Sequence, residues 1–195
     1  IGELLRATAL RLYQDDLRVL ARRLTFAGVS EMVEEITDRL ASTAGVAGIV
    51  AEPYASAPEF LADLESVYEA LNADHMGLFS DRLWLLISRV RTFGFHFASM
   101  DLRQDSRVHA SVVGEILATA GVEPGQSFGE LDPQARIDAM TGALHRMPPA
   151  DRLLDDLPDG IAKDTLLSIQ VAERIQRRNG PRGMHRYIIS NTRSA

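Results

Sequence analysis

The chain has no cysteine among its 195 residues, which removes disulfide staples, thiolate catalysis and cysteine-based metal sites together. No apolar run approaches the ~18–20 residues needed to cross a bilayer, so no membrane span is expected. Lysine is almost missing: Lys163 stands alone, and the other twenty basic residues are arginine. A bias that runs through the whole chain reflects codon usage in a GC-rich genome, so each arginine must be argued from its position. Positive charge is not in excess either. The formal net charge is −6, which argues against nucleic acid as a partner, because such proteins carry a basic face. The five histidines, His75, His96, His109, His145 and His185, show no metal-ligand spacing.

What is present is the composition of an ordinary folded domain, 46% hydrophobic and 25% charged. Leu10, Tyr13, Leu17, Leu20 and Leu24 recur at spacings of three and four, the seam of an amphipathic helix. Ala27-Gly28 closes it, and Ser30 caps a second helix over about 31–43. Ser56 with Pro58 starts a third, carrying Phe60, Leu64, Val67 and Leu71 on one face. Ser80 caps a fourth with Leu83, Leu86, Ile87 and Val90. At Gly94 the period changes to two, which predicts a strand over about 94–103. A helix follows from Ser106 to about Ala120, then a plain loop, "GVEPGQSFGELDP", which has neither the spacing nor the lysine of a phosphate-cradling loop. Pro133 opens a helix to about Arg146. "MPPADRLLDDLPDG" reads as an irregular excursion, a long helix runs from about Ala162 to Arg178, and a last strand covers about 185–190.

Two short strands do not make a stable sheet by themselves, so they are expected to belong to a larger parallel sheet or barrel. The chain lacks an initiator methionine and its end falls beside an apolar strand, which reads as a piece of a longer protein. The first segment, "IGELLRATALRLYQDDL", is patterned as helix rather than as a signal peptide, so a cytoplasmic location is expected.

The chemistry-bearing stretch is "FGFHFASMDLRQDSRVH", residues 93–109. Asp101 and Arg103 lie two apart on one strand face, at the strand's C-terminal end. In a (β/α)8 barrel that end is where active sites are built, and a planar guanidinium suits a phosphate or carboxylate. The competing reading is an ion-pair network tying strand to helix. Spacing alone leaves both open.

The same residues carry a resemblance. Phe93-Gly94, then Met100-Asp101-Leu102-Arg103-Gln104-Asp105-Ser106 and His109, closely resemble the motif of the phosphoenolpyruvate carboxylase family, and "RYIISNTRSA" resembles that family's next barrel strand. The two motifs match in order and spacing, whereas residues 1–90 match only in helical character. The resemblance implies a helix-decorated (β/α)8 TIM-type barrel, of which this chain would be a mainly α part with two barrel strands. Residues 1–92 would pack on the barrel and residues 93–195 would belong to it. It implies that Arg103 binds the substrate phosphate and is catalytic, with Asp101 and Gln104 supporting it. The implied partners are phosphoenolpyruvate and bicarbonate, in a parent enzyme assembled as homotetramers, without nucleic acid or membrane. The implied reaction passes phosphate to bicarbonate, giving carboxyphosphate and an enolate that then takes up CO₂.

The departures matter as much. The family's Thr-Ala-His-Pro-Thr-Glu motif, its Gly-Tyr-Ser-Asp-Ser stretch, its glycine- and arginine-rich loop and its magnesium-binding carboxylates are absent from this sequence. No metal ligand is therefore expected here; Mg²⁺ or Mn²⁺ would be held by other segments, and this piece alone should be inactive. The alternative from another class is a non-catalytic helical scaffold or interaction domain, in which Arg103 is dispensable. Binding of phosphoenolpyruvate without turnover is a third reading, weak because one guanidinium seldom holds a small anion against water and salt.

Other constellations read as structural. Ser106, His109 and Asp105 could be drawn as a triad, but no nucleophile-elbow pattern surrounds the serine. His96 is expected as a hydrogen-bonded core histidine and His109 as a brace for the turn after Arg103. The cluster "ERIQRRNGPR", with Arg174, Arg177, Arg178 and Arg182, sits at a helix C-terminus. There cations meet the helix dipole favourably, or else serve an anion or a subunit contact.

Overall fold

The leucine seam is where the helical core starts. In a computed structural model that describes residues 1–192, Leu10, Tyr13, Leu17, Leu20 and Leu24 are all buried. The chain is mainly helical, with two parallel strands, and divides into two units.

The first unit comprises Ile1–Met100 with Ile175–His185. Its helices are α1 (Gly2–Ala21), α2 (Val29–Thr43), α3 (Ala57–Asp74) and α4 (Ser80–Phe93). Each contributes the apolar stripe its spacing predicts, and one continuous core includes Val33, Phe60, Leu64, Leu83, Ile87 and Phe95. Phe60 is the hub: its ring lies 5.8 Å from Tyr13, 5.2 Å from Tyr54 and 6.0 Å from Phe95. Polar side chains are satisfied where they enter. The Tyr13 hydroxyl donates to the Gly94 carbonyl at 2.7 Å, and burial, then Asp16, pushes its pKa well up. Arg39 stacks over Tyr54 at 4.0 Å and pairs with Asp63 at 2.8 Å and with Glu59.

The helix starts differ in part from expectation. Ser56 caps α3 as expected, its hydroxyl accepting from the Glu59 N–H. Ser30 does not cap α2. Gly28, at φ 84°, is the capping residue, and the Glu31 carboxylate accepts from its N–H at 2.7 Å. Ser30 instead lies inside the helix and donates to the Phe26 carbonyl at 3.0 Å. Ser80 likewise is the first residue of α4, behind Phe79 in a left-handed conformation.

The strand expected from Gly94 begins only at Met100: β1 runs Met100–Asp105. Residues 94–99 form a turn in which Gly94 (φ 48°) and Phe97 (φ 60°) take positive φ. The apparent alternation was two unrelated demands. Phe95 turns inward to the helical core, while Phe97 stacks on Phe93 at 5.4 Å.

The second unit comprises Asp101–Arg174 and the segment from Arg186 onward. It holds α5 (Ser106–Thr119), α6 (Pro133–Ala143), α7 (Ala150–Asp156) and the first part of α8 (Ile161–Asn179); β2 (Met184–Ser190) completes the two-stranded sheet. The plain loop after α5 contains a 3-10 turn over Gly125–Glu130, and Gly114 is the point of closest approach: an added Cβ would stand 3.3 Å from the Gly125 carbonyl. The irregular excursion contains α7, because Leu153 and Leu154 are buried despite the surrounding prolines. Helix α6 stops at Ala143, three residues before the expected end. Apolar packing here is split into two small clusters, one around Leu117, Val122 and Phe128, the other around Val112, Leu157 and Ala162.

Candidate functional site

Strand β1 delivers its charged residues beside β2. Three cross-strand contacts, Asp101 with Arg186, Gln104 with Ser190 and Asp105 with Asn191, keep a separation of 85 or 86 residues. A constant offset is the signature of parallel pairing. Both strands therefore run in the same direction. Asp101 is the second and Arg103 the fourth of the six residues of β1, so neither stands at the C-terminal strand end expected for them, because the strand starts only at Met100; Asp105 is the residue at that end.

Asp101 is divided between two arginines. Its Oδ1 accepts from Arg186 Nε at 2.8 Å, while its Oδ2 stands 3.7 Å from the nearest Arg103 nitrogen. The short contact belongs to Arg186, so Arg103 keeps its donors largely uncommitted. Its side chain is 75% exposed, against 19% for Asp101. Arg103 also borders a cavity of about 240 Å³ lined in part by Asp164, Ser168 and Tyr187. The Gln104 side chain does not reach Arg103; its Oε1 accepts from the Asp105 N–H at 3.0 Å. Its part is to fix the backbone just after the arginine.

The next residue locks the turn into α5. The Asp105 carboxylate accepts from the Arg107 N–H at 2.9 Å, from the Arg107 guanidinium at 3.0 and 3.1 Å, and from Asn191 Nδ2 at 2.7 Å. The Arg107 side chain, then Asn191 and the Arg107 N–H, hold this carboxyl well below the usual carboxylate range. Ser106 Oγ donates to the Asn191 carbonyl at 2.8 Å. This lacing opens onto a cavity of about 720 Å³ bordered by Ser106, Arg107, Gln126, Arg136 and Asn191.

His109 packs its ring edge-on to Tyr187 of β2, with centroids 5.5 Å apart, and its buried Nδ1 has no hydrogen-bond partner. It packs α5 against the strand, and makes no hydrogen bond to the turn after Arg103 among the described residues. Ser106 and Asp105 are committed to Asn191 and Arg107, so the triad drawn on paper is not assembled. Arg186, Asn191 and Arg107 were missed by sequence reasoning. For Arg186 and Asn191 the signal is tertiary, since only pairing two strands some 85 residues apart reveals it; Arg107 is two residues from Asp105, and its signal was the local Asp-Ser-Arg spacing at a helix start.

The order of these motifs, on two paired parallel strands, can be compared with known proteins. A family model described as phosphoenolpyruvate carboxylase matches residues 6–195. The chain belongs to the phosphoenolpyruvate carboxylase family. It is 38% identical over 141 residues to a phosphoenolpyruvate carboxylase of Nocardia farcinica, covering 72% of this chain and 15% of that protein. It is 36% identical over 183 residues to the enzyme of that name from Mycolicibacterium paratuberculosis, covering 93% of this chain and 18% of that protein. A Burkholderia mallei relative of the same name is 38% identical over 149 residues, 76% of this chain and 15% of the relative. The chain thus spans less than a fifth of the length of these relatives.

A carboxylase of this family implies a divalent metal. Among the described residues no group of three or more His, Asp or Glu side chains is placed to hold one. The described residues do not form a site for such an ion. No helix among them is long and apolar enough to cross a membrane.

Proposed function

We propose that this chain serves as the Arg103-bearing part of a phosphoenolpyruvate carboxylase, an enzyme that joins bicarbonate to phosphoenolpyruvate to give oxaloacetate and phosphate. The observation that carries the reading is the family match over residues 6–195, joined to an exposed arginine on a paired parallel strand whose carboxylate neighbour is engaged by Arg186.

In this reading a bicarbonate oxygen attacks phosphorus, the bond from phosphorus to the enol oxygen breaks, and its electron pair stays as the enolate. Carboxyphosphate then releases CO₂ and phosphate, and the enolate carbon adds to CO₂. Charge on the moving phosphoryl group is what a fixed guanidinium stabilises. Arg103 would donate to that group, Asp101 would hold the strand pair through Arg186, and Gln104 would fix the backbone behind it. The strands would be two of a (β/α)8 barrel completed by other segments. Those segments would also supply Mg²⁺ or Mn²⁺ and the remaining catalytic groups, so these 195 residues alone would not turn over.

The test is bicarbonate-dependent oxaloacetate formation by the whole parent polypeptide. Arg103→Ala is expected to lower kcat about 10²–10³-fold at matched folding, the size usual for removing a charge contact made in the transition state. Arg103→Lys should recover only part of that, since the fork of donors is lost. Near-normal activity in Arg103→Ala would return the residue to the ion-pair network. Inactivity of the unsubstituted parent would favour the helical scaffold.

A further inference from the structure

The arginine cluster after α8 has a second feature beyond its place at a helix end. Within the first unit, the last turn of α8, the 3-10 turn Pro181–Gly183, the start of α3 and the turn after α4 enclose a cavity of about 450 Å³. Arg91, Arg177, Arg178 and Arg182 border it together with His96, and no aspartate or glutamate does. In a chain of net charge −6, arginines gathered at one cavity whose described lining holds no carboxylate make a local positive field.

The cations are not equivalent. Arg91 pairs with Glu65 at 2.7 Å and Arg178 with Glu3 at 2.9 Å, both carboxylates lying outside the cavity lining. Arg182 has no ion pair among the described residues. Its backbone is nevertheless fixed, the Arg182 carbonyl accepting from Ser99 Oγ at 2.7 Å. The side chain therefore projects from an anchored turn.

His96 is the second, independent observation. It is only 7% exposed, and no hydrogen bond to its ring is found among the described residues. The ring is wedged between two glycines: a Cβ at Gly94 would stand 2.8 Å from its Nδ1, and one at Gly183 would stand 3.1 Å from the His96 Cβ. Burial, then the charges of Arg182 and His185, lowers its pKa and keeps it neutral. The residue is buried, yet its ring nitrogens are not among the fully enclosed unsatisfied atoms and the residue borders the cavity; a largely desolvated imidazole without a protein partner bears part of the desolvation cost of its polar atoms. A hydrophobic ring of that size would avoid the cost, whereas a ligand in the cavity would repay it. Phe95 and Val90 supply apolar wall beside these groups.

We propose that this cavity binds a small oxyanion ligand, a phosphate or carboxylate head group against Arg182 with a hydrogen bond from His96, whose planar or apolar portion lies against Phe95 and Val90. The proposal concerns the first unit alone and does not rest on the role of Arg103.

The test uses the 195-residue chain at low ionic strength, titrated in parallel with phenyl phosphate, inorganic phosphate, benzoate and sodium chloride, read by calorimetry and by the His96 ring resonances. Saturable one-to-one binding of phenyl phosphate or benzoate, with a Kd in the millimolar range or below and saturating movement of the His96 signals, is expected. The stronger of the two identifies the head group, and inorganic phosphate alone should bind more weakly than phenyl phosphate. Arg182→Ala should weaken binding about tenfold or more, and His96→Gln should weaken it less. Arg22→Ala, an exposed arginine outside the cavity, should leave it unchanged. Circular dichroism of each variant confirms the fold. No saturable binding of either aromatic anion would overturn the proposal. So would equal displacement by chloride at the same ionic strength, or an unaltered Kd in Arg182→Ala.

Discussion

The helical unit and the strand-bearing unit solve the burial problem in different ways. In the first, twenty buried side chains from four helices and the connecting turns form one continuous core, with Phe60 touching three other aromatic rings. In the second, the buried residues fall into two small clusters, and β2 leaves Tyr187 and Ile188 about two-fifths exposed. Order at the strand ends is instead maintained by polar contacts: Asp101 with Arg186, Asp105 with Arg107 and Asn191, Ser106 with Asn191. Hydrophobic area stabilises a fold without direction, but directed hydrogen bonds are what fix the backbone that carries a side chain such as Arg103. Stability and placement are thus drawn from different unit cores, and the two can be perturbed separately.

The largest expected effect falls on the helical core. Phe60→Ala removes a ring from a site with little room to collapse, and should cost about 3–5 kcal/mol in urea denaturation. Leu117→Ala, in a small cluster with partly exposed neighbours, should cost about 2 kcal/mol, the low end for such truncations. Equal costs would mean that the second unit is as tightly packed as the first.

Smaller effects test the polar end of the comparison. Asp105→Ala removes the helix cap and the ties to Arg107 and Asn191, and should cost about 1–2 kcal/mol. Its mark in hydrogen exchange should be faster exchange at the start of α5 with α1, α3 and α4 unaltered; a change in those helices would erase the distinction between units. Arg186→Ala breaks a partly exposed pair and should cost at most about 1 kcal/mol. In the parent enzyme it should lower activity more than stability, because Asp101 would then be free to close on Arg103.

How far the sequence led follows the same division. The helical seams were legible because a period of 3.6 needs only neighbours along one helix, and Leu10, Tyr13, Phe60 and Val90 all lie where their spacing put them. The motif around Arg103 was legible as strand, but the strand starts at Met100, so Arg103 lies inside it and only Asp105 stands at its end. Gly94–Ser99 was not, since an aromatic-rich turn with inward Phe95 mimics alternation over six residues. Gly28 displaced Ser30 as the cap because positive φ at the glycine, and a carboxylate three residues on, satisfied the N–H first. The cross-strand partners of Asp101 and Asp105, Arg186 and Asn191, lie 85 and 86 residues away, and local pattern carries no information at that range. Even α7 was hidden, because three prolines flank a helix of two turns whose only signal is Leu153-Leu154.

The smallest effect is the one that tests the buried ring of His96 in the helical unit. Its pKa is lowered from 6.5 by burial first, then by Arg182 and His185, with Arg91, Arg177 and Arg178 also bordering its cavity. The folded state therefore binds fewer protons than the unfolded chain between the lowered value and 6.5. Stability should be complete above about 6.5 and should fall as pH drops through that window, levelling only below the folded pKa. His96→Gln should flatten this part of the profile, and His185→Asn, by removing a neighbouring charge, should shift it less. Arg182→Ala should raise the folded pKa and so narrow the window. If the acid loss persists unaltered in His96→Gln, the proton is taken up elsewhere, and the neutral ring is not what limits the helical unit in acid. If the loss disappears and is also suppressed in wild type by phenyl phosphate, the same imidazole links the stability of the core to the anion in its cavity.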